Sequence, residues 1–468
     1  SGMVKLSVNM RFDSGVAKVR KGLNQIIQLA EPCLALLPFS DPDGNNDILA
    51  LGSDHAYFVM TNKSPLAFAE TMTEPFGLQV FNKILVFENG KRPQESGGED
   101  DFTQFSSTPS IDDGLFVACP NAPFGIYMSN RLIVPDYSDT STTVIASDLL
   151  QENLFQLSTG EFYLNYGTND RILAFSVFAE NQLLAFNQNS IFLINNIHSL
   201  DSAQFEITRQ YGIAGTKALC QNGSYTYFMS SEGNIQVLVP SSDPAKGLGI
   251  SISKTTLDQE PLSKPITPIL ENIDFNYLWK TIIVYHRNRV YCAFVTQGQT
   301  DARTIVVYNS LNSVWESLDI LPVPINDMVS HRGKLYIASG NNIYEYESAI
   351  TDDGAGIVGQ LETRDYTLGS LDIKKFIRGS IGYASANGGN TSISVFLKDP
   401  DGVILSKSIQ EDDDDFDRMT RFSTRRRGYA ASVQVSSVSG GNQQNEIRRI
   451  SMEGFVGNGR TGGTFDGN

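Results

Sequence analysis

Short apolar runs separated by polar turns follow one another along most of this chain of 468 residues. The pattern is clearest from Arg171 to Val239, where several apolar runs each end in a polar turn. Examples of these turns are Asn187-Gln188-Asn189, Asn222-Gly223 and Ser231-Glu232-Gly233-Asn234. Asn and Gly readily adopt the positive φ angles that tight hairpins need. Strands spaced by about eight to twelve residues, with turns of this kind, predict an all-β protein.

The recurring unit is a strand, a short polar turn, a second strand, another turn and a third strand. It repeats at about 40–55 residues, the length of a β-propeller blade. We therefore predict a β-propeller of about six blades over residues 31–355, preceded by an N-terminal segment at 1–30. Two polar stretches interrupt the repeat. Residues 88–113 predict a long exposed loop, and the proline-containing stretch 240–272 predicts an irregular link.

The segment Asp352–Gly356 marks a change in the pattern. Beyond it the apolar runs are longer, and their spacing favours a β-sandwich. We predict a second, sandwich-like β domain over residues 356–468. Its last residues, Gly457–Asn468, form a glycine-rich tail that we expect to be flexible unless it docks on another surface.

The formal net charge of −16 argues against a large basic field for binding duplex DNA. An acidic surface that meets DNA would instead repel it and let it slide. The hydrophobic fraction of 41% is typical of a globular protein. No apolar run reaches the ~18 residues of a membrane span, and no charged-then-apolar signal peptide is present, so we expect no membrane span.

Residue types that usually carry chemistry are few and scattered. The cysteines lie far apart without a C-x-x-C pair, so we expect buried free thiols rather than a zinc site or a disulfide framework. No histidine stands near a second one at metal spacing. The common nucleophile, metalloprotease and nucleotide-binding motifs are absent, as is the sialidase box S-x-D-x-G-x-x-W. The cysteines are Cys33, Cys119, Cys220 and Cys292, and the histidines are His55, His198, His286 and His331. The sequence therefore predicts no enzymatic activity and no cofactor.

Two acidic clusters are candidate cation sites. They are Asp41–Asp47, and Asp412–Asp415 with Asp417. The first is similar to the start of an EF-hand loop, but Ser53 stands near the position where that loop needs a glutamate. We expect a hairpin turn at the first cluster and a solvated loop at the second, with calcium binding as the alternative.

Several segments of the chain occur in the same order as similar segments of a known protein family. RQYGIAGT at Arg209–Thr216 contains the G-I-A-G turn of Gly212, Ile213, Ala214 and Gly215, and the strand pair at Leu183–Phe192 precedes it. Arg425-Arg426-Arg427-Gly428 precedes strands that end in EIRRI at Glu446–Ile450, and Thr363–Lys375 lies upstream. Together these pieces resemble tail hub, or nozzle, proteins of short-tailed bacteriophages. These proteins are also called packaged-DNA stabilisation or head-completion proteins.

The resemblance implies a structural virion protein of the tail that forms a homohexameric ring below the portal and adaptor. Such rings close the conduit, retain the packaged DNA until ejection, and carry a tail spike, fibre or needle. The implied partners are other copies of the chain, the portal–adaptor ring, one of these appendages, and the genomic DNA in the channel. The acidic charge agrees with a lumen through which DNA passes without sticking.

Charge placement near the C-terminus suggests an interface. Glu411–Asp417 is a dense acidic run, which cannot be buried without cations and must face water, a metal or a basic partner. Arginines bind carboxylates through two parallel hydrogen bonds. We therefore predict that Arg425, Arg426 and Arg427 lie at a subunit or adaptor contact. The alternative is that the two segments flank one hairpin and pair with each other.

Two other functions remain as alternatives. A glycan-binding or glycan-cleaving propeller would be supported by paired carboxylates in a central pocket. A cellular scaffold propeller of the kelch or WD kind is the third reading. Self-association and binding to a glycan array separate these three functions.

Overall fold

The computed structural model describes most of the chain. It leaves out residues 1–3, 14–15, 42–43, 62, 112–114, 138–141, 157–159, 166–167, 198–201, 241–249, 252–259, 368–373, 385–388, 400–401, 414–417, 439–445 and 457–468. The predicted tail at 457–468 therefore lies outside the described residues. Within the described part, no helix is both long enough and apolar enough to cross a membrane.

The described residues are almost entirely β-structure. The first strands are β1 Val4–Val8, β2 Met10–Asp13, β3 Val16–Val19, β4 Gly22–Gln28, β5 Ala35–Ser40, β6 Asn46–Leu51, β7 His55–Phe58, β8 Leu66–Ala67, β9 Phe76–Val80, β10 Lys83–Phe87, β11 Gln94–Ser96 and β12 Thr103–Gln104. They are followed by β13 Phe116–Val117, β14 Ile126–Met128, β15 Arg131–Asp136, β16 Thr143–Asp148, β17 Gln151–Gln156, β18 Glu161–Tyr163, β19 Ile172–Ala179, β20 Gln182–Asn187, β21 Ile191–Asn195 and β22 Ala203–Thr208.

The second half of the chain continues in the same way. Its strands are β23 Leu219–Asn222, β24 Tyr225–Met229, β25 Ile235–Pro240, β26 Ile250–Ser251, β27 Ile282–His286, β28 Arg289–Phe294, β29 Ala302–Asn309, β30 Val314–Ile325, β31 Asp327–His331, β32 Lys334–Ser339, β33 Asn342–Ala349, β34 Val358–Thr363, β35 Lys374–Ala384, β36 Gly389–Asp399, β37 Gly402–Asp413, β38 Arg418–Gly428, β39 Ala430–Val438 and β40 Glu446–Val456. Between β26 and β27 lie a 3₁₀ turn at Lys264–Ile266, one α-helical turn, α1, at Thr267–Leu270, and a 3₁₀ helix at Phe275–Lys280.

The chain forms two compact units. The larger unit comprises 25–304 and 323–344, and the smaller comprises 1–24, 305–322 and 345–468. This division differs from the sequence-based boundary at residue 355, because the N-terminal strands belong with the C-terminal domain. Strand β1 pairs with β34, and β3 pairs with β40. Pairing over such a sequence distance leaves no local signal in the sequence.

Blade-like groups of antiparallel strands follow one another in chain order. They are β5–β8, β9–β12, β13–β18, β19–β22, β23–β26, β27–β30, and β31–β33 completed by the N-terminal strand β4. The described residues thus form seven such groups, where the sequence pattern favoured about six. The additional group includes β9–β12, because the stretch 88–113 that we expected to be an exposed loop contains two of these strands, with Phe102 and Phe105 buried.

The innermost strands of the larger unit form a closed ring. In chain order, β5 contacts β9, β9 contacts β14 and β14 contacts β19. In the same way β23 contacts β27, β27 contacts β31, and β31 contacts β5. The side-chain amide of Gln221 in β23 donates to the carbonyl of Val177 in β19 and joins the two halves. A ring of radially repeated antiparallel sheets is the β-propeller architecture. The all-β propeller that the sequence predicted is therefore confirmed.

The core of the propeller lies between neighbouring blades. One buried cluster joins Leu29, Cys33 and Ile48 to Val329 and Tyr336, so the last blade packs against the first. Similar clusters lie between the first and second, second and third, and third and fourth blades. Each blade is apolar on both faces because each face packs against a neighbour. The middle strands therefore read as continuous apolar runs rather than strict alternation.

The smaller unit is a β-sandwich. One layer has the order β30-β1-β34-β39-β36-β37, in which β30, largely within residues 305–322 of this unit, pairs in parallel with β1. The other layer has the order β2-β3-β40-β35-β38. Its core contains residues of both layers, among them Val19, Ile393, Val433 and Met452. Strands β37 and β38 are the outer strands of their layers.

Two buried arginines join the separate stretches of the smaller unit. The Arg20 side chain is fully buried and forms two hydrogen bonds to the Asp352 carboxylate, at 2.9 and 2.6 Å. Arg11 donates to both oxygens of Asp319, at 3.1 and 2.5 Å. Burial by itself raises the pKa of Asp319, but the Arg11 charge and hydrogen bonds outweigh it and hold that pKa below its ordinary value. Such clusters are stable only when every charge keeps its partner.

We predict that Arg20→Met lowers the free energy of unfolding of the smaller unit by about 3–5 kcal/mol, because it leaves the Asp352 carboxylate buried without its cation. Lys5→Met is the matched control, since the Lys5–Glu362 pair lies at the surface and should contribute at most about 1 kcal/mol. Denaturant titration of both variants measures the difference. Equal effects of the two substitutions would contradict the role assigned to the buried pair.

Candidate functional site

The centre of the propeller contains a charged cross-link. The Lys217 ammonium lies 2.7 Å from the Asp327 carboxylate at the start of β31 and 3.2 Å from the carbonyl of Leu34. The second Asp327 partner is the amide of Leu36 in β5, at 2.9 Å. Lys217 precedes β23, so one side chain joins three parts of the ring. No sequence motif signals this pair, because its members are far apart in the chain.

The ring of inner strands carries little other charge. Among the described inner strands β5, β9, β14, β19, β23, β27 and β31, Asp327 is the sole carboxylate, and it is engaged with Lys217. Glycan cleavage generally uses a pair of carboxylates about 5–10 Å apart. These strands therefore supply no support for the glycan-cleaving alternative.

The G-I-A-G turn lies where two blades meet. The amide of Ile213 donates to the carbonyl of Asn187 at the end of β20, at 3.0 Å, and Ile213 is buried. The amide of Ala214 donates to the carbonyl of Met229 in β24, at 2.9 Å. A Cβ on Gly212 would lie 1.8 Å from the Asn187 carbonyl oxygen, so only glycine allows this approach.

The second glycine of the turn has an equally close neighbour. A Cβ on Gly215 would lie 2.4 Å from the carbonyl oxygen of Trp279. The turn therefore connects the fourth blade, the fifth blade and the 3₁₀ helix at Phe275–Lys280. These contacts are made by main-chain atoms and buried side chains. They therefore fix the backbone conformation of the turn.

A second polar cluster is built on Glu31. Its carboxylate accepts hydrogen bonds from the backbone amides of Ser53, Asp54 and His55, at 2.8, 2.9 and 2.9 Å. The hydroxyls of Ser53 and Tyr57 donate to it as well, at 2.5 and 3.1 Å. Burial alone raises the pKa of Glu31, but the bonds from Ser53, Asp54 and Tyr57 outweigh it and lower that pKa. Because Ser53 donates directly to the carboxylate, Glu31 fixes the turn at 52–55.

Carboxylates hold other blade turns in the same way. Asp47 accepts from the amides of Met60 and Thr61, at 2.7 and 3.1 Å, and Asp170 accepts from the amide of Asn189 at 2.7 Å. In the first candidate calcium cluster, Asp41 bonds to its own turn and to Lys63, and Asp43 lies outside the described residues. The described residues contain no group of three or more His, Cys, Asp or Glu side chains that could hold a metal ion.

The predicted thiols and histidines are dispersed. All four cysteines are free; Cys33, Cys119 and Cys292 are buried, and Cys220 is half-buried. Burial raises the pKa of each thiol. Nδ1 of His55 lies 3.3 Å from Glu31, Nδ1 of His286 lies 2.8 Å from the Ser330 hydroxyl, and His198 is outside the described residues.

An exposed aromatic group is the surface feature that the sequence analysis missed. Phe275 and Trp279 lie on the 3₁₀ helix and are 60% and 52% exposed. The Lys280 ammonium lies 5.1 Å from the ring centre of Tyr277 and 5.7 Å from that of Trp279. Large exposed aromatic side chains often mark binding surfaces. The run FNYLWK was the available sequence signal.

The predicted interface arginines lie in one strand. Arg425, Arg426 and Arg427 are near the end of β38, and their side chains are outside the described part of the structure. Glu411–Asp413 end β37, whereas Asp414, Asp415 and Asp417 of the second candidate calcium cluster lie outside the described residues. Strands β37 and β38 belong to different layers and are not hydrogen-bonded neighbours. Strand β38 runs unbroken from Arg418 to Gly428, so the described residues between the two segments form one strand rather than a hairpin.

Comparisons with known proteins give distant structural likenesses. No protein-family profile and no curated protein matches the chain. Among solved structures, BamB from Moraxella catarrhalis is similar with a TM-score of 0.33 and 11% identity, covering 69% of this chain and 96% of that one. The WD40 domain of Neurospora crassa Pan2 has a TM-score of 0.40 and 11% identity, with 72% and 96% coverage. Chaetomium thermophilum Raptor has a TM-score of 0.44 and 10% identity, with 70% and 29% coverage.

We predict that Gly212→Ala destabilises the larger unit by about 1–3 kcal/mol, because the new methyl group must displace the Asn187 backbone. Gly97→Ala is the control, since a Cβ there meets no atom within 4 Å. Thermal unfolding followed by circular dichroism measures both. A Gly212 variant as stable as the Gly97 variant would show that the turn can relax.

Glu31 should make stability depend on pH. Its pKa is lower in the folded protein than the ordinary value of 4.5, so its contribution is fully present above pH 4.5 and is lost as the pH falls through the folded pKa. We predict that Glu31→Gln lowers stability by about 1–3 kcal/mol at neutral pH and has a shallower loss of melting temperature on acidification. Substitution of the exposed Glu99 by Gln is the control. An acid profile for Glu31→Gln as steep as that of the unsubstituted protein would contradict this assignment.

Proposed function

We propose that this chain is a structural virion protein of the tail of a short-tailed bacteriophage. In this proposal, copies of the chain form a hexameric ring below the portal and adaptor. The ring closes the conduit, retains the packaged DNA and lets it pass on ejection. The sequence resemblance that includes the G-I-A-G turn of Gly212–Gly215 supports the choice of this family.

The observation that carries the proposal is how the chain is threaded. It passes between the two compact units four times, at 24/25, 304/305, 322/323 and 344/345. Opening a single linker therefore cannot detach one unit from the other. A subunit that closes a pressurised conduit needs this kind of resistance to separation.

The use of polar groups also supports a structural role. Glu31, Asp47, Asp170 and Asp327 bind backbone amides of neighbouring turns and strands. The G-I-A-G residues likewise hold blades together. With a net charge of −16, the protein would repel DNA that passes through an assembled ring. The partners in this proposal are other copies, the portal–adaptor ring, a spike, fibre or needle, and the DNA in transit.

Electron microscopy of the protein with the portal–adaptor complex of the same phage tests the function. We expect a ring with a central channel, bound at the adaptor end, in the mixture but not in the adaptor complex alone. An assembled adaptor that remains bare beside excess protein would overturn the proposal.

Glycan binding is the second candidate, and the exposed Phe275 and Trp279 favour it. Aromatic rings at a surface offer a flat apolar face on which a sugar ring can stack. A glycan array separates this candidate from the first. If glycan binding is the function, Trp279→Ala should lose the signal, whereas Leu311→Ala, which changes an exposed apolar residue elsewhere, should keep it. No signal from the unsubstituted protein would eliminate the candidate.

A further inference from the structure

Glycines of two neighbouring turns hold the 3₁₀ helix at Phe275–Lys280 close to the propeller. A Cβ on Gly233 would lie 3.0 Å from the Phe275 ring, and a Cβ on Gly215 would lie 2.4 Å from the Trp279 carbonyl oxygen. A larger residue at either position would push against the helix. The rings of Phe275 and Trp279 nevertheless remain 60% and 52% exposed. The helix is thus packed closely through its backbone while both aromatic rings stay largely at the surface.

The helix is also fixed at both of its ends. The Asp274 carboxylate accepts a hydrogen bond from the Asn276 amide at 3.0 Å, and the Thr281 hydroxyl donates to the Leu278 carbonyl at 2.7 Å. The Leu278 side chain is buried. A surface whose conformation is fixed before binding loses little conformational entropy when a partner docks. The exposed rings therefore form a preorganised surface.

A carboxylate without a counter-charge lies beside these rings. Glu232 precedes Gly233 in the turn that lies against Phe275, and its side chain is exposed. The Glu232 side chain forms no hydrogen bond or ion pair with any residue that the structure describes. The cation of the helix, Lys280, is instead bound to Asp301 at 3.2 Å. The surface thus combines exposed aromatic rings with an uncompensated negative charge.

The chemistry of a partner follows from this combination. A partner that covers Phe275 also removes water from the neighbouring Glu232, and a carboxylate that loses water needs a cation and hydrogen-bond donors. An arginine guanidinium supplies both, and its planar face stacks on an aromatic ring. A lysine ammonium supplies the charge without the planar face or the paired hydrogen bonds. A neutral sugar leaves the charge of the carboxylate uncompensated.

We propose that the surface formed by Phe275, Trp279 and Glu232 binds an arginine side chain of a protein partner. The guanidinium stacks on Phe275 and bonds to the Glu232 carboxylate, and Trp279 is the apolar anchor beside them. Arginine and aromatic residues are enriched in protein interfaces. The aromatic rings of the helix already attract a cation within the chain, since the Lys280 ammonium lies 5.7 Å from the ring centre of Trp279. The inference concerns this surface alone and does not depend on the proposed virion role.

Isothermal titration calorimetry of the full chain with a capped peptide of four arginines tests the inference. A capped peptide of four lysines has the same charge, so it separates guanidinium recognition from general attraction to an acidic protein. At about 0.15 M ionic strength, where the Debye length is about 8 Å, the arginine peptide should bind at least about 10-fold more tightly. Equal affinities of the two peptides, or no binding of the arginine peptide, would overturn the inference.

Two substitutions then test the named residues. Glu232→Gln removes the charge, and Phe275→Leu removes the ring while it keeps an apolar side chain against the Gly233 turn. Each should weaken binding of the arginine peptide by about 10-fold. Glu99→Gln removes an exposed carboxylate elsewhere and is the matched control, which should bind like the unsubstituted protein. Equal losses in the two glutamine variants would mean that only net charge matters and would overturn the inference.

A further variant keeps the test of the ring decisive. If Phe275→Leu does not fold by circular dichroism, Phe275→Tyr replaces it. This variant retains an aromatic ring and should therefore keep its affinity for the arginine peptide. A folded Phe275→Tyr variant that no longer binds the peptide would contradict stacking on the ring.

Tryptophan emission shows where the peptide binds, because Trp279 and Trp315 are the two tryptophans of the chain. The arginine peptide should change the emission of the unsubstituted protein but not that of Trp279→Phe. The remaining Trp315 ring packs on Tyr308, with ring centres 5.1 Å apart. A change in emission that persists in Trp279→Phe would place the peptide elsewhere and overturn the inference.

The glycan array separates this inference from the sugar-binding candidate. A glycan signal that Trp279→Ala abolishes, in a protein that does not bind the arginine peptide, would assign the surface to sugars and overturn the inference. Ring formation on the adaptor complex is measured separately from peptide binding. The inference and the proposed function can therefore fail independently.

Discussion

The buried ion pairs of Arg11 and Arg20 are the interaction on which the sandwich unit depends. A guanidinium that loses its water must have its charge and its hydrogen-bond donors satisfied by the protein. Arg20 is satisfied by Asp352, Asn9 and the carbonyl of Ile320. These partners come from all three stretches of chain that form the unit, so the charge is balanced only when all three are assembled. The folding of the unit is therefore cooperative, because these buried groups stabilise it when they are paired and destabilise it when they are separated.

In the propeller, each blade depends on its neighbours for stability. A four-stranded blade has two apolar faces and cannot be stable alone, so each blade depends on its neighbours. The turns between strands carry backbone amides that need acceptors, and the buried carboxylates of Asp47, Glu88 and Asp170 supply them. Apolar packing thus holds the blades side by side, and the carboxylates hold the turns in one conformation. The same carboxylates contribute to the acidic charge of the protein, so part of that charge has a structural cause.

Apart from Glu232, the charged groups described in the propeller bind its own turns and strands. Charge that is spread through the propeller is balanced locally, for example by Lys217 at Asp327.

The sequence by itself determined the all-β class, the blade repeat and the change of pattern near Asp352, because hydrophobic periodicity and turn residues are local. It also identified the G-I-A-G turn and Arg425–Arg427 as residues of interest. Only the tertiary structure decided that 88–113 contains blade strands, since those strands are short and polar. It alone joined the N-terminal strands to the C-terminal sandwich and brought Arg20 to Asp352. The last two features depend on pairing between residues hundreds of positions apart, and no local pattern of residues encodes which distant partner a strand or a charge will meet.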